Sequence, residues 1–165
     1  MKNFFKKIVF AMATLLTINL TAQAQDKDAL VDIKNGKLHA VVTGDGPYTV
    51  VFEAGFISDL SVWRKVAPTV AKQAQIVVYS RAGVGKSPAR SQPLNLLQHT
   101  EELQQLIAAL DLKKPLILVG HSYGGWVVRQ FASAYPKQVA GLVLVDPANE
   151  TLEIELRKID AAKVT

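Results

Sequence analysis

The chain has 165 residues, 49% of them hydrophobic and 20% charged, which suits one domain with a buried core and excludes a disordered tail. It contains no cysteine, so disulfides, thiolate metal sites and a cysteine nucleophile are excluded, and only His39, His99 and His121 offer imidazole. The formal net charge of +5 belongs mostly to the first residues: without Lys2, Lys6 and Lys7 the 19 basic side chains fall to 16 against 14 acidic ones, or +2, with no basic stripe or module suited to nucleic acid.

Residues 1–24 read as an export signal, with those three lysines as the positive start, an apolar stretch over 8–20 and Ala22-Gln23-Ala24 as a small-x-small cleavage site. The mature chain is then expected to begin at Gln25. The apolar stretch is shorter than the ~20 residues of a bilayer-spanning helix. Export to the periplasm or the medium follows, with no stable membrane span after cleavage.

Next along the chain, residues 30–33 and 37–43 flank Asn35-Gly36, a dipeptide that accepts the positive φ angles of a two-residue turn, so an antiparallel hairpin is expected. Residues 49–54, 75–79, 116–119 and 141–145 are short apolar runs rich in β-branched side chains. Continuous apolarity, rather than alternation, marks strands covered on both faces. Helical patterns lie between them at 60–72, 94–110 and 123–135, the last ended by Pro136. Leu152, Leu156 and Ile159 stand at helical spacing in residues 150–165 and suggest the start of another helix. Strand and helix in alternation after a hairpin predict an α/β domain over residues 25–165, with a doubly wound, mostly parallel sheet and an antiparallel hairpin at its start. Reactive groups on such sheets gather at the carboxyl ends of the strands.

One motif carries chemistry. The run Leu116-Ile117-Leu118-Val119 leads directly into Gly120-His121-Ser122-Tyr123-Gly124, and a helical pattern follows, so a G-x-S-x-G motif stands between strand and helix. The serine of such a turn is lifted clear of the sheet, and glycines two residues to either side leave room for neighbouring backbone. The helix N-terminus offers N–H groups and a positive dipole end to developing negative charge. Ser122 is the expected nucleophile.

On these residues the chain from about residue 37 to 148 resembles the α/β-hydrolase family, of the kind that includes small esterases, lactonases and proline iminopeptidases. The resemblance implies that the segment Val51-Phe52-Glu53-Ala54-Gly55-Phe56 follows the third strand and completes an oxyanion hole, with the backbone N–H groups of Phe56 and Tyr123 as its donors. Glu53-Ala54 departs from the commoner form, in which a histidine precedes the glycine. Tyr79-Ser80-Arg81-Ala82-Gly83-Val84-Gly85-Lys86-Ser87 is similar to the family's glycine-rich loop after the fourth strand, which the resemblance implies is structural and helps wall the active site. Its ending also suggests a phosphate-binding loop, but Ser80 stands where that motif needs its first glycine and Pro88 interrupts the helix that should follow. Trp63 and Trp126, on expected helices among apolar neighbours, read as core residues.

A serine nucleophile needs a base, ordinarily a histidine oriented by a carboxylate, and the family's chain order is serine, then acid, then histidine. No histidine follows Ser122 in the sequence. His121, His39 and His99 read as surface or packing residues. Asp146, after the run 141–145, is a candidate acid. The family continues with a lid, two further strands and the loops that carry acid and histidine. The expectation is therefore an incomplete hydrolase core that stops after its sixth strand and leaves 141–145 as an apolar sheet edge. The implied function is a serine hydrolase that cleaves an ester, amide or related carbonyl bond of a small molecule through an acyl-enzyme at Ser122, with neither metal nor organic cofactor. The alternative is a hydrolase fragment or scaffold without turnover. Serine at the elbow argues against haloalkane dehalogenase and epoxide hydrolase chemistry, which relies on a carboxylate nucleophile.

Overall fold

The structure, a computed structural model, describes residues 26–149 and 151; the export signal of residues 1–24 and the helical spacing at 152–159 lie outside the described residues. The chain opens with the hairpin of β1 (Lys27–Ile33) and β2 (Gly36–Thr43), paired antiparallel from Lys27↔Val42 to Ile33↔Gly36. The turn lies one residue earlier than the dipeptide suggested: Lys34 and Asn35 form its tip, and Gly36, at φ +136°, already belongs to β2. Glycine takes the unusual angle alone because it has no Cβ to clash.

Four strands follow: β3 (Thr49–Glu53), β4 (Gln75–Tyr79), β5 (Leu116–Ser122) and β6 (Val139–Pro147). The sheet order is β1-β2-β4-β3-β5-β6; β2 pairs with β4 antiparallel, and β4, β3, β5 and β6 run parallel. The expected architecture is present, a mixed sheet with an N-terminal antiparallel hairpin. The helices are α1 (Ala67–Val70), α2 (Leu96–Ala109) and α3 (Tyr123–Ala134).

Strand alternation divides the core into two layers. Val51, Val77, Tyr79 and Leu118 meet Leu103, Leu106, Val127, Val128 and Phe131 of α2 and α3. On the other face Val50, Phe52, Ile76, Val78 and Val119 meet Trp63 and Ala67. Helices therefore cover both faces. Trp63 is a core residue as expected, whereas Trp126 is half-buried and packs edge-on to Tyr123.

The helix expected over 60–72 is broken into a 3-10 turn, Leu60–Trp63, and α1. Asp59 caps the first piece by accepting from the Ser61 N–H at 2.9 Å, and Pro68, with no N–H of its own, suits only the first turn of the second. The capping of α2 is reciprocal: the Gln98 N–H donates to Asn95 Oδ1 at 3.0 Å, and the Asn95 N–H donates to Gln98 Oε1 at 2.9 Å. All five residues of β3 are buried, but Leu142, Val143, Leu144 and Val145 of β6 are 40–47% exposed, because β6 is the sheet edge among the described residues.

Candidate active site

Strand β5 ends on Ser122 and α3 begins on Tyr123, with no residue between them. To make that junction Ser122 adopts φ +50° and ψ −121°. This is a sparsely populated region for a residue with a Cβ and costs on the order of 1–3 kcal/mol, which the surrounding packing must offset. A Cβ on Gly120 would lie 2.6 Å from both the Gly124 carbonyl oxygen and Val128 Cγ2. A Cβ on Gly124 would run into the Glu53 carbonyl oxygen and lie 2.6 Å from that of Ala54. The two glycines thus let the turn close and let the end of β3 rest on it. As the first residue of α3, Tyr123 has no helical carbonyl one turn back to accept its N–H.

The segment after β3 reaches the same turn. The Phe56 and Tyr123 rings meet edge to face with centroids 5.5 Å apart, and among the described residues the Phe56 N–H has no hydrogen-bond partner. The structure therefore brings together the three residues singled out from the sequence: Ser122, Phe56 and Tyr123.

A set of buried charges beneath that segment was not read from the sequence. Glu53 and Arg81, 1% and 4% exposed, form an ion pair, and the Tyr79 hydroxyl donates to the other Glu53 oxygen. The Arg81 guanidinium also donates to three successive carbonyls, those of Ala54 (2.7 Å), Gly55 and Phe56 (2.5 Å). Its carbon lies 5.4 Å from the centre of the Tyr123 ring, within cation–π range. Arg81 belongs to the glycine-rich loop that the resemblance gives a structural role in walling the site, and its bonds to Glu53 and the three carbonyls go beyond that role. The missed signal was a glutamate at the end of one strand and an arginine two residues beyond the end of another, the two strands pairing in parallel with Phe52 opposite Val78.

Burial pushes the Glu53 carboxyl up, opposed by the Arg81 charge and by hydrogen bonds from Tyr79 and Arg81. Burial works against the Arg81 charge too, and Glu53 overrides it, so the guanidinium holds its proton more tightly. Burial first and then Glu53 push Tyr79 well above the ordinary phenol range, which keeps it a donor.

The histidines lie around this centre without engaging it. His39 is buried, with Nε2 2.7 Å from Asp28 Oδ1. His121 sits edge-on to Trp63 at 6.4 Å. The His99 ring is 5.8 Å from that of Tyr123; burial and then the Arg81 charge pull it down to about 4, so it is neutral at physiological pH. Among the described residues none of the three hydrogen bonds the Ser122 hydroxyl. Asp146 stands at the same end of the sheet, exposed, at φ +41°, where the register slips from His121↔Val145 to Ser122↔Pro147.

A cavity of about 340 Å³ lined by Phe56, Ile57, Arg81, Pro93, Leu94 and His99 adjoins the turn. Two larger hollows, of about 650 and 570 Å³, lie at the hairpin turn and on the Trp63 face. The smaller is the one beside the turn, because Phe56 and Arg81 in its wall both touch Tyr123. Among the described residues no group of three histidine or carboxylate side chains is placed to hold a metal ion, and no helix is long and apolar enough to cross a membrane.

Comparison with known proteins gives the chain its family. It is 34% identical over 105 residues to the uncharacterized protein YqjL of Bacillus subtilis, an alignment covering 64% of this chain and 42% of that one. It is 29% identical over 125 residues to a fluoroacetate dehalogenase of a Burkholderia species, covering 71% of this chain and 40% of that protein. Among solved structures, the haloalkane dehalogenase DatA of Agrobacterium tumefaciens superposes with a TM-score of 0.67 at 22% identity, over 74% of this chain and 41% of that one, a likeness of fold. The chain thus spans about two fifths of the length of these relatives. A family model described as alpha/beta hydrolase fold matches residues 48–164, most of the sequence, and the chain belongs to that family.

Proposed function

We propose that this chain carries the nucleophile and the oxyanion donors of a serine hydrolase that cleaves an ester, amide or related carbonyl bond of a small molecule. The observation that carries this reading is the conformation of Ser122: a positive φ on a serine, held between a strand and a helix by glycines that admit no side chain. In the reaction Ser122 Oγ forms a bond to the carbonyl carbon, and the carbonyl oxygen takes the electron pair and is held by the N–H groups of Phe56 and Tyr123. The serine proton passes to a general base and from it to the departing alcohol or amine; water then repeats the sequence on the acyl-enzyme. The base is a group other than His39, His99 or His121, contributed from outside residues 26–149. A hydroxyl at the elbow favours acyl transfer over dehalogenation, although a fluoroacetate dehalogenase is among the relatives. Export places the reaction in the periplasm or the medium, where the secreted protein should begin at Gln25.

A fluorophosphonate probe tests the nucleophile. The full-length protein should be labelled once per chain, and Ser122→Ala should abolish labelling; undiminished labelling of Ser122→Ala would overturn the assignment. The 165-residue chain alone should label at least about 100-fold more slowly, the contribution of a positioned general base. A scaffold without turnover is the second reading, favoured by the absence of a histidine on Ser122 among the described residues. It predicts no labelling of the full-length protein either.

A further inference from the structure

We propose that Arg81 is a positioning residue for the oxyanion hole, a clamp anchored on Glu53 that sets the direction of the Phe56 N–H. The proposal rests on the serine hydrolase reading above and adds to it the residue that shapes the hole.

The geometry follows from the peptide unit. In a trans peptide the C=O and the N–H of one plane point in opposite directions. The Gly55 carbonyl and the Phe56 N–H share such a plane, and Arg81 donates to that carbonyl. Holding the carbonyl on the Arg81 side therefore directs the Phe56 N–H to the opposite side. Arg81 holds the carbonyls of Ala54 and Phe56 in the same way, so no single peptide of the segment can rotate without leaving a buried guanidinium short of an acceptor. The fork of a guanidinium can serve Glu53 and three carbonyls at once; an ammonium presents its donors from a single point. The carbon of the same guanidinium lies 5.4 Å from the Tyr123 ring centre, which ties the clamp to the residue bearing the second donor. Glu53, next to the residue that precedes the glycine, supplies the counter-charge that lets Arg81 be buried beneath the segment.

Arg81→Lys in the full-length protein is the test, because it keeps a cation beside Glu53 while removing the fork. With a p-nitrophenyl ester as probe, kcat should fall at least tenfold, towards the ~10²–10³-fold loss that follows removal of one oxyanion donor, while KM moves by less than about twofold. Backbone 15N order parameters of residues 54–57 should fall from the rigid range near ~0.85 towards ~0.6, with the rest of the sheet unchanged. A folded Arg81→Lys protein with wild-type kcat and unchanged order parameters would overturn the clamp. If the wild type shows no turnover that depends on Ser122, the serine hydrolase reading fails by itself; the order parameters then decide the clamp, a fall supporting it and no change overturning it. Should Arg81→Lys fail to fold, Glu53→Gln, which preserves the shape and one acceptor, is read by the same two measurements with the same expected directions.

Discussion

Strands β3 and β6 flank β5 on either side, both parallel to it and both apolar, yet every residue of β3 is buried while four consecutive residues of β6 are 40–47% exposed. The carboxyl ends differ in the same sense. Strand β3 ends in Glu53, locked by Tyr79 and Arg81, and the segment beyond it is held at three carbonyls. Strand β6 carries Asp146 one residue before its end, exposed and seated in a slip of register. A charge can anchor backbone where low-dielectric surroundings strengthen its contacts, and the interior of this sheet provides such surroundings at β3 and not at β6. Parallel pairing alone does not fasten the end of a strand; cover on both faces is also needed.

The contrast can be broken first by removing side chains. Phe52→Ala should destabilise by about 3–5 kcal/mol in urea unfolding, against about 1 kcal/mol for Leu144→Ala, because only the former empties a closed core. Equal costs would mean that β6 is covered in solution as β3 is here. A smaller effect concerns protons beside the clamped segment. His99 is held near 4 in the folded state against about 6.5 when unfolded, so between those values the unfolded chain binds a proton that the native state refuses. Stability should therefore decline as pH falls from about 6.5 to about 4, by roughly 1–2 kcal/mol after allowance for the screening of a half-buried group, and His99→Gln should remove that part of the slope. Parallel pH profiles for wild type and His99→Gln would refute it. The smallest change in stability belongs to the open edge: Val143→Thr should shift unfolding by no more than about 0.5 kcal/mol while reducing light scattering on concentration, since it adds a polar group to an exposed apolar strand.

Local signals made most of this legible in the sequence. Asn35-Gly36 announced the hairpin and missed its tip by one residue, because glycine took the positive φ and asparagine did not follow. Asn95 and Gln98 bound α2 within the periodic stretch that marked it. Spacing along one strand-turn-helix accounts for Gly120, which faces Gly124 and Val128, but only in part for Gly124, whose missing side chain also makes room for the Glu53 and Ala54 carbonyls. What escaped notice depends on residues far apart in the chain. Glu53 and Arg81 meet only because β3 and β4 pair in parallel, and the break between Trp63 and Ala67 follows from how each short piece is capped and packed, which apolar periodicity does not report.

The three carbonyl bonds of Arg81 have a consequence for anyone who would move this site to another protein. The segment 54–56 follows β3 in the chain but is fastened to the residue that leaves β4, so mechanically it belongs to its neighbour. Grafting the segment alone would transfer its order of residues and lose its shape. The transferable unit is two strand ends, Glu53 to Phe56 together with Tyr79 to Arg81, taken with the strand spacing that lets them meet.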